Sequence, residues 1–140
     1  IGEGTEQSAL ESLAALLGIA DRVRFLGAVH HLELPAYYRQ AALHVLTSRH
    51  EGQGMVTLEA AACGMPTVGT AVGLLPDVPQ LGVTVPIGDD AALATAIRTL
   101  LDAPQRHREL AESAHKTVSE RFTIQHTVDQ LLQLYAQVSR

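Results

Sequence analysis

Two glutamates, Glu51 and Glu59, lie eight positions apart in a segment that otherwise consists mainly of glycines and small or apolar residues. The segment reads HEGQGMVTLEAAACG and spans residues 50–64. An ionised carboxylate in such surroundings is costly unless it finds hydrogen-bond partners. The pair therefore raises the question of which ligand groups two carboxylates at this separation would bind.

The glycines of this segment predict a site for an anion. The segment follows an apolar run and opens a helical pattern, so it falls at the carboxyl end of a strand, where open α/β sheets bind ligands. Gly52 and Gly54 allow the backbone to approach a ligand closely. The first N–H groups of the helix, those of Gly54, Met55 and Val56, lack partners inside it and suit a phosphate.

A phosphate at the start of this helix would give each glutamate a role. Glu59 lies about one turn inside the helix, within reach of the hydroxyls of a ribose attached to the phosphates. Glu51 precedes the anion site, on the side where a sugar attached to the same phosphates would lie. Alternatively, Glu51 is a solvated loop acid and Glu59 is a surface acid stabilised by the helix dipole. The spacing alone leaves both interpretations open.

The other chemically capable residues predict packing or solvation rather than catalysis. His30 and His31 are adjacent, so their side chains diverge, and without a His-x3-His or Cys-x2-Cys pair no metal site is expected. Cys63 is interpreted as a buried structural thiol. The only lysine, Lys116, lies in a late polar helix, which argues against a P-loop and against a pyridoxal-phosphate enzyme. No cofactor is expected.

The composition is that of a globular chain of one-domain size. It has 140 residues, of which 46% are hydrophobic and 18% charged, and a net charge of −5. This acidic balance argues against nucleic acid or an anionic membrane as a partner. The single cysteine fits a reducing compartment, and we expect a cytoplasmic location. Because the first residue is Ile1 rather than Met, we expect a piece of a longer protein.

Short apolar runs alternate with longer helical patterns, which predicts an α/β fold with a mostly parallel, Rossmann-like sheet flanked by helices. The predicted strands span residues 23–26, 43–46, 66–69 and 81–85. The first predicted helix follows a cap at Thr5, and the next three span residues 34–42, 54–63 and 91–101. A fifth helix begins at Pro104, and the last one follows a cap at Thr123. The last helix carries an apolar stripe formed by Ile124, Val128, Leu131, Tyr135 and Val138.

Several motifs in matching order resemble those of retaining glycosyltransferases with two Rossmann-like domains (the GT-B architecture), family 4 in particular. Residues 50–64 resemble the E-x7-E motif of these enzymes. The other similar segments are residues 22–27 (RVRFLG), 34–38 (LPAYY), 62–66 (ACGMP), 88–89 (GD) and 120–122 (ERF). The resemblance implies that residues 1–140 are a single C-terminal nucleotide-sugar-binding domain with a long terminal helix, without the N-terminal acceptor domain.

The resemblance implies a nucleotide-diphosphate sugar as donor and transfer of its sugar with retention of anomeric configuration, without a metal. It gives Glu51 the catalytic position, in contact with hydroxyls of the donor sugar. It implies that Glu59 binds the ribose hydroxyls. It also implies that the backbone N–H groups of Gly54, Met55 and Val56 bind the distal phosphate. The remaining implied contacts to the donor are made by Gly52 and Gln53 and, at the base, by backbone from Gly27 to Val29.

The sequence also departs from this family. Gln53 stands where an aromatic or small residue is commoner, and the loop over residues 71–77 lacks a second glycine. The Arg and Lys that hold the diphosphate in the family would precede Ile1, as would the acceptor domain. Two alternatives therefore stay open: a nucleotide-binding or regulatory module without transferase activity, and a structural domain without a ligand.

The predicted partners are a nucleotide-sugar donor and the N-terminal domain of the same protein. Self-association through an uncovered stripe of the last helix is a further expectation, whereas an acceptor at a membrane surface cannot be read from these residues. We expect the chain alone to fold without transferring sugar, because holding the reactants between two domains supplies much of the rate.

Overall fold

The structure, a computed structural model, describes residues 1–138. The chain divides into two compact units, Ile1–Leu34 and Pro35–Arg140. The first unit contains helix α1 (Gln7–Leu16) and a short 3-10 turn (Ala20–Arg22). Its one buried apolar side chain among the described residues belongs to Ala14, so this unit has little core of its own.

Two sequence predictions in the first unit are wrong. Residues 23–26 do not form a strand. The backbone hydrogen bond beside this run, from the Gly2 N–H to the Gly27 carbonyl at 2.8 Å, is not continued into a ladder, and an apolar run becomes a strand only where a ladder forms. Thr5 does not cap α1, because the helix begins at Gln7 behind Glu6, two residues after the turn.

A three-stranded parallel sheet organises the second unit. Its strands are β1 (His44–Leu46), β2 (Thr67–Thr70) and β3 (Gly82–Val85), in the order β1-β2-β3. The predictions for these three strands are confirmed to within one residue. Every residue of the central strand β2 is buried, as expected for a strand covered on both faces of a sheet. Parallel pairing brings the carboxyl ends of the strands to one edge.

Five helices connect and cover the strands. In chain order they are α2 (Leu34–Gln40), α3 (Met55–Ala62), α4 (Asp90–Leu101), α5 (Pro104–Arg121) and α6 (Ile124–Val138). Pro104 opens α5 as predicted, and the predicted cap of α6 is present, since the Thr123 hydroxyl accepts a hydrogen bond from the His126 N–H at 3.1 Å. Helix α2 ends at Gln40, two residues early, because the chain must turn into β1.

A core cluster of the second unit lies between α3, α5 and the segment over residues 75–81. Ala61 of α3 and Ala114 of α5 are fully buried in one apolar cluster, and their small side chains let the two helices approach closely. The sheet is also tightly packed: a Cβ added to Gly69 of β2 would lie 2.8 Å from the Cβ of Leu46 of β1. This rigid framework fixes where the loops at the carboxyl edge begin and end.

Helix α6 has no buried residue. Its apolar stripe remains uncovered from Ile124, which is 83% exposed, to Val138, which is 75% exposed. This exposure matches the expectation of an uncovered stripe, while self-association through it stays a prediction. Within residues 1–138, no helix combines the length and the apolar character needed to cross a bilayer.

Candidate functional site

The loop from β1 to α3 ends in a left-handed residue that directs the start of the helix. Gly54 has φ +75° and ψ +50°, a conformation that side chains other than glycine rarely adopt. No side chain in the described part of the chain caps α3 at this residue. The first N–H groups of α3 therefore remain free of intrahelical and side-chain partners, and they lie at the carboxyl edge of the sheet, as the sequence predicted.

Only part of α3 is buried. Thr57, Ala60 and Ala61 are buried, while Met55 is 54% exposed and Val56 is 36% exposed. The reason is that one face of α3 packs on the sheet and α5, whereas its first turn lies at the open edge. The side chains of the first turn are exposed, although Gly54 itself is buried.

A second loop, over residues 71–77, supports the loop between β1 and α3. The Leu74 N–H donates to the Gln53 carbonyl at 3.0 Å. Gly73 has φ +58°, and a Cβ added there would lie 2.8 Å from the Gln53 carbonyl oxygen and 3.2 Å from the Glu51 Cβ. The absence of a side chain at Gly73 thus permits the close approach that places residues 51–53.

The Glu51 carboxylate is partly buried and held by hydrogen bonds that lead back to the sheet. Its Oε1 accepts a hydrogen bond from the Ser48 hydroxyl at 2.7 Å. The Ser48 carbonyl in turn accepts one from the Thr70 hydroxyl at the end of β2, at 2.5 Å. Glu51 is therefore anchored rather than freely solvated, which weakens the alternative of a solvated loop acid.

The Glu59 carboxylate is held from a different direction, by a tyrosine of α2. Its Oε2 accepts a hydrogen bond from the Tyr38 hydroxyl at 3.2 Å, and Glu59 itself is half-buried. Burial, followed by the negative charge of Glu59, raises the pKa of Tyr38 to about 12. Tyr38 therefore stays protonated at neutral pH and serves as a donor. Sequence reasoning assigned it no role, since 21 residues separate it from Glu59.

The Thr57 hydroxyl is a further polar group at the start of α3 that sequence reasoning did not single out. It is buried and has no hydrogen-bond partner in the described part of the chain. A Cβ added to Gly54 would lie 3.8 Å from this hydroxyl. A buried hydroxyl without a hydrogen-bond partner lowers the free energy of unfolding by roughly 1–3 kcal/mol. The Thr57 hydroxyl also adds a polar group beside the predicted anion site.

The residues predicted at the base, Gly27 and Val29, belong to the first unit. Gly27 has φ +66°, and its carbonyl oxygen accepts the Gly2 N–H. The structure thus brings together Glu51 to Val56 and Glu59 within the second unit, while the contact of Gly27 and Val29 with a base stays a prediction. Within residues 1–138, no three His, Cys, Asp or Glu side chains are grouped to hold a metal ion.

Comparison with known proteins identifies the family of this chain. Residues 1–103 match the family model of glycosyl transferases group 1. The chain belongs to this family. Its sheet and flanking helices are those of the C-terminal domain of the GT-B fold, as the resemblance of the motifs implied.

Two curated relatives carry glycosyltransferase or synthase names. The chain is 43% identical, over 129 residues, to a D-inositol 3-phosphate glycosyltransferase of Geodermatophilus obscurus, covering 90% of this chain and 28% of the relative. It is 38% identical to an N-acetyl-alpha-D-glucosaminyl L-malate synthase of Bacillus anthracis, covering 100% of this chain and 37% of the relative. The chain thus spans about a third of the length of these relatives.

Two solved structures share the fold closely. Sucrose-phosphate synthase from Thermosynechococcus elongatus superimposes with a TM-score of 0.85 at 36% identity, covering 96% of this chain and 35% of that one. Anabaena HepE, crystallised in complex with UDP, superimposes with a TM-score of 0.85 at 26% identity, covering 97% of this chain and 39% of that one. Both agree with membership of the glycosyl transferase group 1 family.

Proposed function

We propose that this chain binds a nucleotide-diphosphate sugar and that, in the complete protein, the sugar is transferred to an acceptor with retention of anomeric configuration. The observation that carries the proposal is the left-handed Gly54, which opens a helix N-terminus without a side-chain cap between two anchored glutamates. Membership of the glycosyl transferase group 1 family supports a sugar-transfer reaction. The complex of the similar HepE with UDP supports a nucleotide donor.

In this proposal the distal phosphate lies against the N–H groups of Gly54, Met55 and Val56. The helix dipole and these three donors offset part of the phosphate charge, so no metal is required for binding. Gly52 and Gln53 pass close to the transferred sugar. The placement of the Gln53 carbonyl by Leu74 keeps this backbone segment in a fixed position.

The two carboxylates contact different parts of the remaining donor. Glu59, inside α3, accepts hydrogen bonds from the ribose hydroxyls. Glu51, in the loop before α3, accepts hydrogen bonds from hydroxyls of the transferred sugar and acts at the reacting end of the donor. Because Ser48 occupies one oxygen of Glu51 and Tyr38 occupies one oxygen of Glu59, each carboxylate retains acceptor capacity for the ligand.

Transfer needs more than this chain in our proposal. Catalysis requires that the acceptor be held against the donor and that water be kept from the reacting carbon. The acceptor domain is proposed to come from the remainder of the protein. The 140-residue chain is therefore expected to bind the donor without transferring its sugar.

A thermal-shift screen of the chain tests the proposal. UDP-glucose, GDP-mannose and ADP-glucose are compared with free glucose at equal concentration. At about 100 times its dissociation constant, a bound donor adds roughly 2.7 kcal/mol to the free energy of unfolding, so at least one donor should raise the Tm by several degrees. No shift with any of the three would contradict donor binding.

A matched pair of variants sharpens this screen. Glu59→Ala should reduce the Tm shift by about half or more. Glu112→Ala, which removes an exposed carboxylate of α5, should leave it intact. Equal shifts in both variants would show that the donor binds elsewhere. If donors bind but the complete protein transfers no sugar to any acceptor tried, the chain is the inactive nucleotide-binding module instead.

A further inference from the structure

Tyr38 connects the sheet to the Glu59 carboxylate. Its hydroxyl lies 3.2 Å from Glu59 Oε2 and 3.5 Å from the Val56 carbonyl, so it contacts α3 at both the side chain and the backbone. Tyr38 itself is partly buried. The neighbouring Tyr37, on the same helix, is 40% exposed and makes no comparable contact among the described residues.

The ring of Tyr38 is fixed in turn by the first strand. The ring of His44, in β1, meets it edge-on, with 5.9 Å between ring centroids and an interplanar angle of 76°. His44 Nδ1 lies 2.9 Å from the hydroxyl of Thr67, a fully buried residue of β2. A continuous series of contacts therefore runs from the sheet through His44 and Tyr38 to Glu59.

This arrangement restricts the glutamate more than the helix alone would. A glutamate side chain has several rotatable bonds, and an exposed one samples many rotamers. A phenol donor bound to Oε2 removes much of that freedom and leaves Oε1 as the less occupied oxygen. Fixing the carboxylate before the ligand arrives lowers the entropic cost of binding.

We propose that Tyr38 is a positioning residue that orients the Glu59 carboxylate toward the ribose hydroxyls, and so sets how strongly the domain prefers a ribonucleotide. This inference rests on the proposed function, because it needs the nucleotide to lie at α3. It differs from a structural role for Tyr38, in which the ring fills space and the hydroxyl has no effect on a ligand.

The test is calorimetric titration of the 140-residue chain with UDP and with 2′,3′-dideoxy-UDP, which lacks both ribose hydroxyls; GDP and ADP with their dideoxy analogues replace them if UDP does not bind. The variants are Tyr38→Phe, Glu59→Ala and the double variant. Tyr37→Phe is the matched control. Phenylalanine at position 38 keeps the ring against His44 and removes only the hydroxyl.

Tyr38→Phe should weaken UDP binding about 2- to 12-fold, as expected for the loss of one hydrogen bond. It should change the affinity for the dideoxy analogue by less than about twofold. In the Glu59→Ala background, removal of the Tyr38 hydroxyl should have no further effect, because the residue acts through Glu59. Tyr37→Phe should resemble the wild type with both ligands.

Two results would overturn the inference while leaving donor binding in place. One is an equal loss for UDP and its dideoxy analogue on Tyr38→Phe, which is the behaviour of a structural residue. The other is an undiminished effect of Tyr38→Phe in the Glu59→Ala background. If the wild type binds none of UDP, GDP and ADP, the proposed function fails, and the inference fails with it.

Discussion

The two glutamates of the site are held in contrasting ways. Glu51 lies in a loop whose position depends on backbone approach, since Gly73 touches Gln53 closely and the Ser48 hydroxyl anchors the carboxylate. Glu59 lies inside α3, and an aromatic side chain from α2 holds its carboxylate. The contacts that hold Glu51 lie at the carboxyl edge of the sheet. The contact that holds Glu59 depends on the packing of the Tyr38 ring against the His44 ring.

Because their contacts differ, we expect that substitutions can displace one carboxylate without displacing the other. A change that moves the loop should affect Glu51 and spare the contact between Tyr38 and Glu59. A change in the ring contacts should affect Glu59 and spare the loop.

The largest expected effect comes from the loop support. Gly73→Ala places a Cβ 2.8 Å from the Gln53 carbonyl oxygen and forces a left-handed alanine. Strain and displacement together should lower the free energy of unfolding by roughly 2–5 kcal/mol, measured by urea denaturation. Gly88→Ala is the control: its φ is +79°, but nothing lies within 4 Å, so the loss should be only about 1–2 kcal/mol.

Equal losses in these two glycine variants would mean that the approach of Gly73 to Gln53 does not constrain the loop. The contrast between the two supports would then lose its basis on the Glu51 side.

The next largest effect is expected at Glu59. A hydrogen bond to a charged group contributes roughly 1.5–3 kcal/mol, so Glu59→Ala should weaken binding of a nucleoside diphosphate about 10- to 150-fold. The measurement is calorimetric titration with UDP, with Glu112→Ala as the control for loss of a surface charge. Unchanged affinity in Glu59→Ala would return Glu59 to a surface acid near a helix N-terminus.

At Glu51 the expected effect is on transfer. In the complete protein, Glu51→Ala should lower kcat about 10-fold or more, because the lost contact is proposed to be made to the transferred sugar. Discrimination between UDP-glucose and UDP-galactose should also weaken, and initial rates with both donors measure this. Normal turnover in Glu51→Ala would remove this residue from the catalytic position.

The smallest effect is the contribution to the pH dependence of stability that arises from His44, which packs against Tyr38. Burial lowers the pKa of His44 below 6.5 in the folded chain, whereas in the unfolded chain it returns to about that value. Below about pH 6.5 the unfolded chain therefore binds a proton that the folded chain resists, and the free energy of unfolding should fall as the pH decreases. His44→Gln should flatten this slope between about pH 7.5 and 5.5.

His50→Gln is the matched control for the pH experiment, because His50 is exposed and adjacent to Glu51. Urea denaturation across the same pH range is the measurement for all three proteins. If His44→Gln and the wild type show the same slope, His44 is not the group that couples protonation to folding.

Local patterns were sufficient for most of the second unit. Apolar runs bounded by turn residues predicted β1, β2 and β3 to within one residue, and Pro104 and Thr123 marked the starts of two helices. Gly54 adopts a left-handed conformation at the start of α3, while the anion site indicated by the glycine spacing stays a prediction. Each of these features is determined by neighbours along the chain.

The remaining features depend on contacts between distant segments. Residues 23–26 have the composition of a strand without the hydrogen-bonded ladder that makes one. The contact between Tyr38 and Glu59, and the approach of Gly73 to Gln53, follow from how the elements pack. Periodicity and spacing along the sequence do not predict contacts between distant segments. The contacts that hold both glutamates were therefore found only in the structure.

Titration of Glu51→Ala and Glu59→Ala with both UDP and UDP-glucose tests the division of roles most directly. Glu59→Ala should weaken both ligands about 10- to 150-fold. Glu51→Ala should keep the affinity for UDP within about threefold of the wild type, since the bare diphosphate lacks the sugar that Glu51 is proposed to contact. It should weaken only UDP-glucose. Equal and small effects of both substitutions on both ligands would contradict the account and leave the two residues as ordinary surface acids.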